Sequence, residues 1–237
     1  MESFLVLGFL VGMAHAFETD HLAAIGTLAS SGKASPKRLA LLGASWGMGH
    51  TTTLFVISLP VILFGAIITQ RLAAGMEFAV GIMLIGLGLH LFRKLWKARV
   101  HFHVHDHGDG VRHFHAHSHQ GATVAHENDP HEHTHKGFSF RAYAIGLAHG
   151  AAGSAGLVAL AAAATQNALT AMVYILVFGI GSILGMAALT FAASWPLKLA
   201  ESAASRLLLA VQIGAASVAV FIGISVMFES APIIRGT

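Results

Sequence analysis

Six apolar stretches dominate this chain, at about residues 3–29, 38–68, 75–96, 140–165, 168–195 and 206–228. Each is long enough as a helix to cross a hydrocarbon layer of roughly 30 Å. The apolar residues come in runs rather than one-sided stripes, so these segments offer no polar face to water. With 55% hydrophobic and 11% charged residues and a mean hydropathy of +0.68, the chain reads as an all-α membrane protein of six transmembrane helices. The 26 glycines suit helices packed backbone to backbone. A polar stripe occupies the first run where a cleavable leader needs its apolar centre, so this run is expected to stay in the mature protein.

The basic residues are unevenly placed. Lys33, Lys37 and Arg38 follow the first span; Arg93, Lys94, Lys97, Arg99, Arg112, Lys136 and Arg141 surround the long middle loop; Lys198 and Arg206 lie between spans 5 and 6. Only Arg71 and Arg235 of the 14 basic residues fall on the other side. The positive-inside rule then puts both termini outside and the loop in the cytoplasm, as in a bacterial-type inner membrane. The net charge of +3 and pI near 9.5 are thereby explained by topology, not by nucleic acid as a partner. Absence of cysteine removes disulfides, iron-sulfur clusters and thiolate metal sites, so a metal here meets nitrogen and oxygen.

Gly12-Met13-Ala14-His15-Ala16 matches Gly146-Leu147-Ala148-His149-Gly150 at an offset of 134, and Trp46-Gly47-Met48-Gly49-His50 matches Phe178-Gly179-Ile180-Gly181-Ser182 at 132. The alternative is chance likeness between Gly/Ala/His-rich helices. A duplicated unit of three spans must thread the bilayer in opposite senses, so the expected fold is two inverted three-helix repeats. Residues 1–97 form the first repeat with the metal motifs, 98–138 the loop, and 139–237 the second repeat. Asp20, His21 and His50 correspond to Ser154, Ala155 and Ser182, so the second half reads as a small-residue scaffold with Gly150, Gly153 and Gly156.

Within the first span, His15, Glu18, Asp20 and His21 stand within seven residues. A carboxylate at mid-bilayer costs roughly 2.5–3.5 kcal/mol, whereas each Leu, Ile, Phe or Val returns about 0.3–0.6, so a bound cation is the simplest compensation. On a continuous helix His15, Glu18 and His21 form an arc of roughly 120°, while Asp20 projects about 140° from His15. Convergence of His15, Asp20 and His21 on one ion therefore requires a local break in the helix. Alternatively, Asp20 accepts a ring N–H from a ligating histidine on a neighbouring helix. His50, with Thr51, Thr52 and Thr53 beside it, is the best additional ligand, although one intramembrane histidine can also serve a single interhelical hydrogen bond. His149 is a further candidate among small apolar neighbours, and His90, beside Arg93 and Lys94, is expected at the interface. Imidazole with carboxylate suits nickel, cobalt or zinc and disfavours copper(I).

His15, four residues, then Asp20-His21 is similar to the signature of the nickel/cobalt transporter family, and Gly49-His50-Thr51 resembles that family's next motif, one span later. The segments Gly146 to Gly156 and Gly179 to Met186 resemble its short six-span, UreH-like branch. The resemblance covers most of the chain outside the middle loop. It implies a metal site at His15, Asp20, His21 and His50, and nickel supply to urease. It also implies a nickel metallochaperone for urease or hydrogenase as partner. Glu18 stands where an aspartate is usual, and the later Asp-rich motif of eight-span members is absent.

The middle loop carries twelve of the 17 histidines: His101, His103, His105 and His107; His113, His115, His117 and His119; His126; then His131, His133 and His135. With few apolar residues it is expected to be disordered without metal and to act as a low-specificity accessory store or sensor, helped by acid residues such as Asp106 and Glu132. A plain solvated linker is the alternative. Loss of residues 101–135 is expected to leave transport intact but alter its response to metal load.

The function expected is secondary transport of Ni2+ or Co2+, with Zn2+ as a further substrate and uptake as the direction. No resident cofactor and no enzyme activity are expected. Efflux, with the loop as sensor, is the runner-up. A membrane metalloenzyme using Glu18 as base lacks the His-Glu-x-x-His spacing. A bis-histidine haem carrier would need His15 opposed by His50 or His149.

Overall fold

The computed structural model describes residues 2–30, 35–97, 101–107, 111–117, 138–151, 167–203 and 205–236. Seven helices lie within them: α1 (Glu2–His15), α2 (Thr19–Ser30), α3 (Pro36–Phe64), α4 (Gln70–Lys97), α5 (Phe140–His149), α6 (Ala168–Ala203) and α7 (Ser205–Arg235). Two strands, β1 (His101–His107) and β2 (Val111–His117), stand between α4 and α5. Among the described residues, α3, α4, α6 and α7 are long and apolar enough to cross a membrane. The first expected span is two shorter helices, α1 of 14 residues and α2 of 12, separated by Ala16, Phe17 and Glu18. The fourth begins as α5, and its expected continuation from residue 152 to 165 lies outside the described residues.

Local chemistry sets the helix ends that matter. Pro36 opens α3, where its missing N–H costs nothing, and Gly65 closes it with φ 65°, its N–H donating to the Val61 carbonyl and that of Ala66 to the Pro60 carbonyl. Ser139 caps α5 by accepting from the Ala142 N–H, and its own N–H donates to Ser45 Oγ at 3.0 Å, tying α5 to α3.

Helix α6 packs on α3 and α1, α7 on α4 and α2, and α5 on α3. Glycine makes these crossings close. A Cβ at Gly12 would overlap the Phe178 carbonyl, and one at Gly146 the Trp46 carbonyl. Likewise Gly49 abuts the Tyr143 carbonyl and Gly181 that of Phe9. Gly12 and Gly146, like Phe9 and Tyr143, are 134 apart; Trp46 and Phe178, like Gly49 and Gly181, are 132 apart. The contacts of α1 on α6 therefore recur as those of α5 on α3. Thr53 Oγ1 donates to the Leu147 carbonyl at 2.8 Å and Thr51 Oγ1 to that of Gly179 at 3.2 Å, adding interhelical polar links.

Trp46, Val80, Leu84 and Met186 form the central core with small residues such as Ala24 and Ala219. Outward, Phe221 and Phe228 are 70% and 76% exposed, a disposition that suits a hydrocarbon surround rather than water.

β1 and β2 pair antiparallel, with His101 opposite His117, His103 opposite His115 and His105 opposite His113. The expectation of a disordered loop is corrected for these fourteen residues. Their imidazoles alternate with Phe102, Val104, Phe114 and Ala116, a period-two pattern that favours strands, and Gly108-Asp109-Gly110 supplies turn-forming residues between the runs. A paired ladder satisfies the backbone even where no large core is buried. His119, His126, His131, His133 and His135 lie outside the described residues.

Candidate metal centre

The site is built where α1 stops. His15 is its last residue, and the chain turns tightly through i to i−3 bonds: Ala16 N–H to Met13 O, Phe17 N–H to Ala14 O and Glu18 N–H to His15 O. Helix α2 then restarts at Thr19, with Asp20 in its first turn. The expected break in the helix is thus present, and it lets Asp20 and His21 turn toward the same space as His15. Asp20 Oδ1 accepts the His21 backbone N–H at 2.8 Å, which holds the carboxylate at the start of α2.

Four histidines from four helices meet here: His15 of α1, His21 of α2, His50 of α3 and His149 of α5, with exposures of 6%, 1%, 1% and 0%. The His21 ring centroid lies 4.5, 5.1 and 4.3 Å from those of His15, His50 and His149. Gly150, next to His149, has its missing Cβ directed at the His50 carbonyl, so α5 and α3 touch at the site itself. Gly153, Ser154, Ala155 and Gly156, which the sequence pattern placed in a supporting scaffold, lie outside the described residues.

The hydrogen bonds assign the tautomers, since a carboxylate only accepts. His15 Nδ1 donates to Glu18 Oε1 at 2.7 Å, His21 Nδ1 to Asp20 Oδ1 at 3.0 Å, and His149 Nε2 to Asp20 Oδ2 at 2.9 Å. His15 Nε2 then carries a lone pair, toward which His50 Nε2 points at 3.1 Å. The nitrogens His21 Nε2, His50 Nδ1 and His149 Nδ1 are buried and have no partner. Buried polar atoms are normally satisfied, so these bare ring nitrogens are donors that a ligand would engage.

The spacing fits an ion. Two ligand atoms at about 2.0–2.1 Å from a common metal stand about 2.9 Å apart at a right angle and about 3.4 Å apart at the tetrahedral angle. The His15–His50 separation of 3.1 Å falls between these. One donor atom each from His15, His21 and His50 lies within 4.8 Å of the others, and the same holds for Asp20, His21 and His149. Glu18 and Asp20 place two acidic groups against the imidazoles of His15, His21 and His149, which suits a divalent cation. The Glu18 side chain is 53% exposed, so the cluster grades from an accessible carboxylate to fully buried imidazoles.

His90 is apart from this cluster, exposed on α4 and lining a basic pocket of about 340 Å³ with Arg93, Lys94 and Lys97. Two site residues escaped the sequence reading. Trp46 lies 5.4 Å from both His21 and His149, and Phe178 lies 5.4 Å from His15, each ring walling one side. Their signal was present: they are the first residues of the two motifs matched at the 132 offset.

The chain is 34% identical over 190 residues to the urease accessory protein UreH of Bacillus sp. (strain TB-90), a match covering 79% of this chain and 75% of that protein. The chain belongs to the UreH family. This is the short branch of the nickel/cobalt transporter family that the two histidine motifs resemble. No family model matches the chain, and no solved structure does. In this UreH-family protein, the histidines of both motifs, His15, His21 and His50, stand in one buried cluster, joined by His149 from outside them.

Proposed function

We propose that this protein is a secondary transporter that carries Ni2+, and Co2+ as an alternative substrate, across the bacterial inner membrane into the cytoplasm. The observation that carries the reading is the cluster of four buried imidazoles met by the carboxylates of Glu18 and Asp20 at a helix break. Borderline ions of this kind favour imidazole, and burial of the ligands among apolar helices excludes the water that would otherwise compete. His15 and His21 present Nε2 to the ion, and His50 joins them through Nε2 once its ring proton has moved to the bare Nδ1. Glu18 and Asp20 hold the first two rings from behind, the carboxylate-histidine-metal arrangement that fixes ring orientation and strengthens the donor. Half-exposed Glu18 is also the group an arriving ion meets first.

The same proposal takes the halves as inverted repeats. The mirrored contacts of Gly12 on Phe178 and Gly146 on Trp46 support it, as does the one-sided placement of basic residues. Both termini then lie outside and the histidine hairpin lies in the cytoplasm, where it takes up delivered metal before it passes to a urease or hydrogenase metallochaperone. The name of the Bacillus relative, a urease accessory protein, favours supply over removal. Efflux is the second reading, favoured by the hairpin's fitness as a sensor of cytoplasmic excess.

The deciding measurement is accumulation of radioactive nickel in cells expressing the wild type or His15→Ala, with cobalt and zinc as competitors. Uptake above the empty-vector level, competed by cobalt and abolished by His15→Ala, is the expected result. Accumulation below the vector level would reverse the direction, and no protein-dependent movement of any metal would end the transporter reading.

A further inference from the structure

Asp20 carries more than one duty. Its Oδ1 meets His21 Nδ1 at 3.0 Å and its Oδ2 meets His149 Nε2 at 2.9 Å, while His21 Nε2 remains bare on the far edge of the same ring. His21 is therefore the shared member of two overlapping sets, His15–His21–His50 and Asp20–His21–His149, each with donor atoms within 4.8 Å of one another. Separations of 3.0 and 2.9 Å in the second set equal, within a few tenths of an ångström, the edge that two ligands at right angles on one ion would span, about 2.9 Å.

We propose that the Asp20–His21–His149 set is a second ion position, used in succession with the first, so that the metal passes from one edge of the His21 ring to the other during transport. This rests on the transporter reading above. A neutral imidazole has one lone pair, so His21 serves one ion at a time and the two positions exclude each other. Transfer to the second position moves two ring protons: His21 Nδ1–H to Nε2 as that nitrogen loses the metal, and His149 Nε2–H to Nδ1. Both receiving nitrogens are without partner in the structure, and neither imidazole changes charge. His149 is the positional counterpart of His15 at the 134 offset. A counterpart histidine on the other half suits a step in which the ion passes from ligands of the first half alone to a set that includes one from the second.

The alternative is that His149 only positions Asp20, and a pair of substitutions separates the two. In His149→Gln the side-chain amide can still donate to Asp20 but is a poor ligand for a borderline metal; His149→Ala removes both roles. Purified full-length protein is titrated with Ni2+, Co2+ binding is followed by its visible absorption, and nickel uptake is measured in cells. The wild type is expected to bind one ion. Both variants are expected to bind it within about threefold of wild type while uptake falls tenfold or more, at least the loss that removing a partner of a metal ligand brings. Uptake restored by His149→Gln would reduce His149 to a positioning residue and overturn the second position. Loss of equilibrium binding in both variants would also overturn it, by merging His149 into the first set. Two ions bound at once to the wild type would contradict exclusive occupancy. Failure of the wild type to bind or move any metal would remove the transporter reading and this inference together, whereas a wild type that transports beside unaffected variants would remove this inference alone.

Discussion

A single methyl group separates the tolerant glycines of this chain from the intolerant ones. A Cβ added at Gly146 falls on the carbonyl oxygen of Trp46, a backbone atom that cannot swing away, whereas Gly86 has no atom within 4 Å of that position. Gly146→Ala is expected to cost about 1–3 kcal/mol through overpacking, and Gly86→Ala to gain up to about 1 kcal/mol from helix propensity. Because Trp46 walls His21, the first change should also weaken nickel binding. Ser182 makes the opposite case: its Oγ is buried without a partner, so Ser182→Ala should be neutral or slightly stabilising and leave transport near normal. Thermal unfolding in detergent, read beside nickel binding, checks all three, and a destabilised Ser182→Ala would mean that the hydroxyl has a bound partner. The sequence alone pointed to His50 and its Ser182 counterpart. It could not show that Trp46 and Phe178 wall the histidine cluster, because an aromatic in an apolar run looks the same whether it faces lipid or a polar site.

At the scale of the element, the three-residue interruption between α1 and α2 does what a continuous helix could not. Asp20 would stand about 140° from His15 on an ideal helix; with Ala16, Phe17 and Glu18 between the two helices, it meets the ring of His21 and reaches across to His149. Phe17 is 61% exposed, so losing its side chain forfeits little packing. Phe17→Ala should therefore be close to wild type, whereas deletion of Phe17 shortens the tight turn by one residue, breaks its i to i−3 bonds and carries Asp20 and His21 out of the cluster. The deletion variant is expected to insert in the membrane yet bind no nickel; normal binding would show that the interruption is not what aligns the ligands. This break was legible in advance, since two carboxylates and two imidazoles in a lipid-length run cannot all point one way. The β1–β2 hairpin was not. Compositional polarity argued for disorder, and the competing signal, histidines alternating with other residues over His101–His107 and again over His113–His117, outweighed it.

For the whole molecule, the proposed orientation in the membrane rests on 12 of 14 basic residues expected on one side, and the absence of cysteine makes it easy to test. Single cysteines introduced at Ser3 and Gly236 should react with an impermeant maleimide on intact spheroplasts, and one at Ser118 only after the membrane is opened; the reverse pattern would invert the topology and with it the direction of delivery. Apolar run length, charge bias and the energetic cost of buried carboxylates are properties of neighbouring residues, so the linear chain by itself determined that this is a helical membrane protein and put the candidate metal ligands on its first two spans. Which nitrogen of each histidine is free, that Asp20 joins His21 to His149, and that two rings wall the cluster were decided only in the tertiary structure. Those choices depend on where α5 crosses α3 and α6 crosses α1, contacts set by glycines and carbonyls more than 90 residues apart, which no local pattern encodes.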